Sequence, residues 1–337
     1  MPTIIDIARL SGFSKSTVSR VINNDPKVKR STKEKIEQAI KDSGYIHNDI
    51  AACMISGYLK IVLIVVGDIE NPYYSSSVKV LEKILYSNGY AVSLCNTDYQ
   101  VEKEVDIIRF AAKCHFSGII LMTAIESEEM YEALSAITCP VVLMNRYLRK
   151  ANYDSVIQNN FNAAYKATNF LIENGHKRIV HLAGIGGTTA TDDRIEGYLG
   201  AMKAANLPVE NDMVVYGKLK IDGGIKLAKE LAQRNMGYTA VFIANEVMAV
   251  GFLREWLFIK KRIPDDISII CFDRTAELDL LPVNITTIGV DSSVLGEEAA
   301  NILLKRMNGF KSDKFFIQFE AKLSVRESVK DLRAKVV

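Results

Sequence analysis

The sequence lacks the features that mark membrane-spanning, exported and metal-binding proteins. No apolar run approaches the roughly 20 residues that a membrane span needs. The opening, MPTIIDIARL, has neither the basic start nor the long apolar stretch of a signal peptide. The five cysteines are odd in number and never spaced C-x-x-C, which predicts free thiols rather than disulfides or a metal site. We therefore expect a cytoplasmic protein that holds no metal and no other cofactor.

The motifs of common enzyme classes are also missing. The chain contains no G-x-x-x-x-G-K-S/T, no G-x-S-x-G and no H-E-x-x-H, and its four histidines are scattered. The segment GIGG at 184–187 follows an apolar run, as a dinucleotide-binding loop would, but Thr189 stands where the third glycine of that motif belongs. We expect no catalytic activity.

The composition is that of a folded protein with an uneven charge. At 337 residues, with 48% apolar and 24% charged residues, the chain is long enough for two or three domains. Residues 1–60 hold ten Lys and Arg against six Asp and Glu, which leaves 32 against 34 for the rest. This asymmetry favours a nucleic-acid-binding head on a nearly neutral body, although a small helical domain with a solvated lysine face would look similar.

The first 47 residues predict three short helices. Thr3 is expected to cap the first, which Gly12 breaks, and Ser14 is the natural cap of the second. A third helix is expected to open with the capping box Ser31-Thr32-Lys33-Glu34 and to stop at Gly44. A helix, a tight turn and a second helix around one small core are typical of a helix-turn-helix, whose second helix fits the DNA major groove.

The second helix carries the candidate base-reading residues. Small hydroxyls and a lysine at a helix N-terminus suit phosphate oxygens, and an arginine one turn later can fork onto a guanine edge. We therefore predict that Lys15, Ser16 and Arg20 contact bases. The alternative is a three-helix packing module whose polar face meets only water.

The segment from Thr3 to Ala51 resembles the DNA-binding head of the lactose-repressor (LacI/GalR) family, through D-I-A, S-x-S-T-V-S-R-V-I-N and S-T-x-x-K-I…A-I-x-x-x-G-Y. The resemblance implies that Lys15, Ser16 and Arg20 face bases. It also implies backbone contacts near Ser14, Thr17 and Asn23.

Residues 48–60 form a short linker with few charges. A lone helix of this length is marginal in water, so it should order only when something holds it. In the resembling family this segment folds on the operator and inserts an apolar side chain into the minor groove, which places Ala51 and Met54 at the DNA here. The family commonly has a basic residue where this chain has Ala52, and the alternative is that Met54 is only a linker residue.

Residues 61–337 alternate strand-like and helix-like stretches, which is typical of a doubly wound α/β fold with parallel sheets. The length, about twice that of one such unit, predicts two lobes. Strands are expected at Ile61–Val66, Ala91–Cys95, Gly118–Met122, Val141–Asn145, Ile179–Ala183, Ala240–Ala244 and Ile267–Phe272. Helices are expected at Ser77–Ser87, Asn160–Glu173, Asp222–Gln233 and Val247–Lys260.

Polar clusters follow many of the predicted strands. Ligands of open parallel sheets bind beyond the carboxyl ends of the strands, so these clusters mark a candidate cleft. For any single cluster, ordinary loop and helix-capping chemistry is the alternative. The clusters are Asp68, Asn71 to Tyr74, Asn96, Asn145-Arg146, Asp193-Arg194, Asn245-Glu246 and Asp273-Arg274.

The body also resembles the family's effector domain, itself similar to periplasmic sugar-binding proteins. The matching segments include D-I-x-N-P-Y-Y, E-N-G-H-K-R-I, D-R-I-E-G-Y, A-N-E-V-M-A-V-G, R-I-P-D-D-I-S-I-I-C-F-D and L-S-V-R-E-S. The chain departs from the family at Asn159 and Glu246, where aspartate is common, and at Leu219, where many members have an aromatic residue. The resemblance implies effector contacts from Tyr73, Tyr74, Asn145, Arg146, Arg194, Asn245 and Asp273.

Together these observations predict an all-α helix-turn-helix head (1–47), a hinge (48–60) and a two-lobed effector-binding and dimerisation body (61–337). Lobe 1 is expected at about 61–158 and 291–319, and lobe 2 at about 159–290 and 320–330. The predicted function is a homodimeric repressor that binds a pseudo-palindromic operator and is switched by a sugar-like effector. The alternatives are a solute-binding receptor without specific DNA function and a regulator that responds to a protein co-regulator.

Overall fold

The computed structural model describes residues 2–22, 25–45, 58–234 and 237–333. The contacts divide the chain into two compact units, a head (Met1–Leu59) and a body (Lys60–Val337). None of the helices in these described ranges is both long and apolar enough to cross a membrane.

The head contains helices α1 (Ile4–Ser11), α2 (Lys15–Ile22) and α3 (Arg30–Ser43). As predicted, Thr3 caps α1, through a reciprocal box with Asp6, and Gly12 ends it in the left-handed conformation at φ 73°. The apolar faces of the three helices pack together in one small core around Ile7, Val18 and Ile36. This core fixes α2 against its neighbours and leaves its polar face outward.

The predicted capping box of the third helix is wrong. Helix α3 begins at Arg30, and Lys29, its capping residue, makes no side-chain capping bond. The carbonyl oxygen of Lys29 already accepts the amides of Thr32 and Lys33. Ser31 therefore lies within the first turn and not before it. From a position inside the helix its hydroxyl cannot reach the amides that a capping residue satisfies.

The body is built on two six-stranded sheets, with strand orders β11-β5-β4-β3-β1-β2 and β12-β10-β9-β8-β6-β7. The described pairings are parallel except that of β10 with β12. The strands are β1 (Leu59–Val66), β2 (Ala91–Asn96), β3 (Phe116–Leu121), β4 (Val141–Met144), β5 (Asp154–Gln158), β6 (Ile179–Ala183), β7 (Val214–Tyr216), β8 (Ala240–Ile243), β9 (Ser268–Phe272), β10 (Thr286–Gly289), β11 (Phe316–Phe319) and β12 (Lys322–Ser324).

Helices cover both faces of each sheet, which explains why the central strands are apolar on both sides. Helices α4 and α11 pack on one face of the first sheet, and α5 and α6 on the other. On the second sheet, α7 and α8 share one face, and α9 and α10 the opposite face. Their bounds are α4 (Pro72–Ser87), α5 (Val101–Ala111), α6 (Glu128–Ser135), α7 (Asn160–Glu173), α8 (Thr189–Ala204), α9 (Ile221–Arg234), α10 (Glu246–Phe258) and α11 (Ser292–Met307).

The chain passes between the two sheets after β5, after β10 and after β11. Gln158, at the first crossing, accepts a hydrogen bond from the amide of Val290 at the second (3.2 Å). Asn159 donates to Glu320 at the third (2.8 Å). These bonds tie the three crossings together and set the carboxyl ends of the two sheets opposite each other.

Candidate DNA-binding surface and ligand cavity

The N-terminus of α2 is held by hydroxyl groups. The Ser14 side chain accepts the Thr17 amide at 3.2 Å, which confirms Ser14 as the cap predicted from the sequence. Its hydroxyl also lies 2.9 Å from the Ser16 oxygen and 2.8 Å from that of Thr17. The cap fixes the direction of the first turn, where helix amides and hydroxyls together suit an anion.

The outward face of α2 carries the three predicted base-reading residues. Lys15, Ser16 and Arg20 are exposed, whereas Val18 and Val21 are buried on the opposite side. The Arg20 side chain is 69% exposed, and its Nε lies 4.0 Å from an Asp25 oxygen. A pair this long and this exposed is weak, so it does not prevent the guanidinium from forking onto another acceptor.

The family resemblance implies DNA contacts from three residues that lie outside the described ranges, namely Asn23, Ala51 and Met54. Their roles stay predictions.

In the body, the structure brings all seven predicted effector residues to one cavity. The cavity lies where the carboxyl ends of the two sheets face each other, and encloses about 320 Å³ including its mouth. A smaller space of about 250 Å³ adjoins it and shares Tyr99, Arg146 and Leu219. The lining of the main cavity is Asn71, Tyr73, Tyr74, Tyr99, Asn145, Arg146, Arg194, Leu219, Asn245, Glu246 and Asp273.

The start of α4 places two tyrosines in the cavity wall. Asn71 caps the helix by accepting the Tyr73 amide (2.8 Å), and Pro72 fixes the first turn. The rings of Tyr73 and Tyr74 meet edge to face with centroids 5.8 Å apart. Burial raises the pKa of both phenols, so they stay protonated and offer hydroxyl donors to the cavity.

Two polar residues at strand ends adopt the left-handed backbone conformation. Asn145 has φ 59° directly after β4, and Asp273 has φ 62° directly after β9. This region is disfavoured for most residues but is visited by Asn and Asp, and such strain clusters at ligand sites. The turn directs both side chains to the cavity that they line.

Arg194 is held by the protein itself. Its Nε donates to Asn160 (2.8 Å), its Nη1 donates to the Ala244 carbonyl (2.6 Å), and the guanidinium lies 3.8 Å from the centre of the Phe272 ring. Its Nη2 lies 4.0 Å from an oxygen of Asp273. Arg194 therefore orients Asp273 and stabilises the wall of the cavity.

Asp273 presents a buried carboxylate to the cavity. It is 4% exposed, and its Oδ1 accepts a hydrogen bond from Gln158 (3.1 Å). Burial raises its pKa, while the Arg194 guanidinium acts in the opposite direction.

Several buried polar atoms of the lining have no hydrogen-bond partner within the described residues. A buried polar atom without a partner is costly, and in a cavity it marks where a ligand would bond. Apart from Arg146 Nε, each of these atoms can accept a hydrogen bond, which suits a ligand that carries donors. They are Tyr73 Oη, Asn145 Oδ1, Arg146 Nε and both carboxylate oxygens of Glu246.

Not every polar strand end reaches the cavity. Asn96 accepts the Ile69 amide and supports the loop after β1. Asp193 accepts a hydrogen bond from Tyr147 (3.0 Å), and Arg274 is exposed and paired with Asp279. For Asn96 and Arg274 the alternative of ordinary loop chemistry describes the structure, and Asp193 lies within α8.

Sequence reasoning missed Tyr99 and Gln158. Tyr99 lines both cavities and has φ 58°, and it follows β2 in the same polar turn as Asn96. The position of Tyr99 shortly after a predicted strand is a signal that could have identified it. Gln158 acts through Asp273, and no local pattern marks such a supporting residue.

Comparison with known proteins agrees with both parts of the chain. Residues 3–48 match the family described as bacterial regulatory proteins, lacI family, and residues 168–329 match a periplasmic binding protein-like domain. The chain is 33% identical over 333 residues to the HTH-type transcriptional repressor PurR of Vibrio vulnificus (strain CMCP6), covering 98% of this chain and 100% of that protein.

Solved structures show the same architecture. A transcriptional regulator CelR–cellobiose complex has 27% identity and a TM-score of 0.73, covering 97% of this chain and 100% of that one. The lac repressor dimer bound to operator and the anti-inducer ONPF has a TM-score of 0.85 at 22% identity, covering 98% and 99%, and this likeness concerns the fold alone.

A helix-turn-helix head and a two-sheet body with a polar cavity between the sheets define a DNA-binding transcriptional regulator with a ligand-binding domain. The chain belongs to the lacI family of bacterial regulatory proteins.

Proposed function

We propose that this regulator is a cytoplasmic repressor that binds a pseudo-palindromic operator as a homodimer and is switched by a small, sugar-like effector. The observation that carries the proposal is the cavity, to which both sheets contribute polar side chains. The proposal includes no enzymatic step, because the relatives are named as transcriptional repressors.

The exposed face of α2 supports base reading by Lys15, Ser16 and Arg20, with Ser14 and Thr17 near the DNA backbone. One small helical head offers few contacts, whereas two heads related by a dyad double them, which is the reason for a dimer and a symmetric operator.

Replacing Arg20 by Ala should relax base choice at one position in each half-site, at about 1–3 kcal/mol each, because a bidentate contact to a base is lost. Competition binding against a randomised operator library measures this. Lys41→Ala is the matched control, since it removes one exposed cation near the end of α3. A uniform loss of affinity for all sequences in Arg20→Ala would make Arg20 a phosphate contact.

The cavity supports an effector with many hydroxyl or amine donors, because its unpartnered atoms mostly accept hydrogen bonds. Thermal-shift screening against sugars, nucleobases and amino acids tests this. A ligand at 100 times its Kd adds about 2.7 kcal/mol of stability.

We further propose that the body divides into lobe 1 (about 61–158 and 291–319) and lobe 2 (about 159–290 and 320–330), which close on the effector. Two sets of ion pairs join the proposed lobes and support closure. Arg149 joins Glu126 (2.5 Å) to Asp192 of α8 (3.1 Å). Lys220 pairs with Asp68 at 3.2 Å.

Replacing Arg149 by Ala should weaken effector binding by roughly 1.4-fold to 5-fold, because a partly exposed ion pair contributes about 0.2–1 kcal/mol to the closed form. Isothermal titration with the effector found by the screen measures this. Lys150→Ala is the matched control, since Lys150 pairs with Glu128, which lies in the same proposed lobe. Equal Kd values for the two variants would mean that the Arg149 bridge does not favour closure.

A further inference from the structure

Glu246 is the least satisfied charged group in the described lining of the cavity. It is the first residue of α10, follows the capping Asn245, and is only 2% exposed. Neither of its carboxylate oxygens accepts a hydrogen bond from another described residue. The nearby helix N-terminus supplies only a partial positive charge.

The groups that face Glu246 do not neutralise it. Asp273 and Glu277 are acidic, and Tyr74 and Cys271 are weak acids that burial keeps protonated. Arg194 is the cation that acts on it, but its donors go to Asn160 and Ala244, with Asp273 beside the third nitrogen. Burial, reinforced by Asp273, raises the pKa of Glu246 to about 8.

A buried carboxylate without a partner is stabilised either by a proton or by an incoming cation. The cavity also contains the opposite kind of site, because Arg146 Nε is a buried donor without an acceptor among the described residues. A ligand that bonds to both the Glu246 carboxylate and Arg146 Nε needs a charged N–H donor at one end and an oxygen acceptor at the other.

We propose that the effector carries a protonated amine that pairs with Glu246, on a small oxygen-rich molecule whose oxygen meets Arg146. The inference rests on the proposed function, since it names the chemistry of the same effector. Amino sugars have this combination of groups, and their N-acetyl forms keep the ring while losing the charge.

The first experiment tests the unpaired acid without any ligand. Between about pH 4.3, where a carboxyl of the unfolded chain ionises, and about pH 8, folded Glu246 retains its proton. The unfolded state binds fewer protons in this window, so Glu246 makes stability fall as pH rises through it. The Tm of Glu246→Gln should therefore rise relative to wild type from pH 5 to pH 8. Glu132→Gln, which removes an exposed acid of α6 that does not line the cavity, should change much less. Parallel Tm profiles for wild type and Glu246→Gln would overturn the proposal.

The second experiment tests the ligand class by thermal shift and titration at pH 7. The probes are glucosamine, galactosamine and mannosamine, each compared with its N-acetyl form and its parent sugar. An amine should stabilise the wild type and the Glu132→Gln control, whereas its N-acetyl form should not. Glu246→Gln should bind that amine roughly tenfold or more weakly, because a charge-assisted hydrogen bond is lost.

Equal binding of an uncharged form would contradict the amine inference and leave the small-molecule effector in place. If no amine, sugar, nucleobase or amino acid stabilises the protein, the small-molecule effector is itself refuted, and the inference with it.

Discussion

Asp273→Asn should lower effector affinity by about 10-fold to 150-fold, the value of a hydrogen bond to a charged group. The substitution replaces a carboxylate, which accepts hydrogen bonds, by a side-chain amide whose nitrogen donates them. It also removes the negative charge that lies 4.0 Å from the guanidinium of Arg194. The fold should persist, because Asn tolerates the left-handed φ of 62° that this position requires.

Isothermal titration with the effector identified by screening measures the effect. Asp279→Asn is the matched control, because Asp279 is an exposed acid that pairs with Arg274 and Arg326 and does not line the cavity. Unchanged affinity in Asp273→Asn would place the effector elsewhere. Arg194→Ala is a poorer test, since it also removes the hydrogen bonds to Asn160 and Ala244.

Deleting one half of the operator should reduce affinity by at least about 30-fold, because specific binding exceeds non-specific binding by roughly 10³ or more and half of the base contacts disappear. Fluorescence anisotropy with a full site and a half-site of equal length, at fixed salt, measures the ratio. Sedimentation of the free protein gives its oligomeric state.

The body exposes several large apolar side chains. Phe258 is 80% exposed and Leu280 is 85% exposed, both in the part built around the second sheet. Equal affinity for the full site and the half-site, together with a monomer at micromolar concentration, would refute the dimeric repressor.

Much of the body could be predicted because buried parallel strands are continuously apolar. Helix α7 has the predicted bounds, Asn160–Glu173, and strand β6 matches Ile179–Ala183. Helix α4 begins at Pro72, five residues before the predicted Ser77, although a capping Asn followed by Pro is itself a start signal. Apolar periodicity alone does not reveal this start.

Short strands escaped prediction for a physical reason. Strand β7 has three residues and β11 has four, too few to show a periodicity, and β11 alternates between exposed and half-buried positions. Each strand exists because a neighbour supplies its hydrogen bonds, as β5 does for β11. The neighbouring strand is distant in the sequence, so a local pattern does not reveal the pairing.

The candidate site was predictable in position and less so in chemistry. Strand-end polarity and the family resemblance located Asn145 and Asp273, and both line the cavity. The same reasoning could not show that Arg194 is occupied by Asn160 and Ala244 or that Glu246 is without a partner. Those facts depend on which side chains meet across the two sheets.

Operator binding measured with and without the effector tests the central claim most directly. We predict a footprint symmetric about a dyad and an operator Kd that changes by roughly 5-fold to 150-fold at saturating effector. The same factor should be found when effector binding is measured with and without operator DNA. Binding that is blind to sequence, or an operator Kd that the bound effector leaves unchanged, would contradict it.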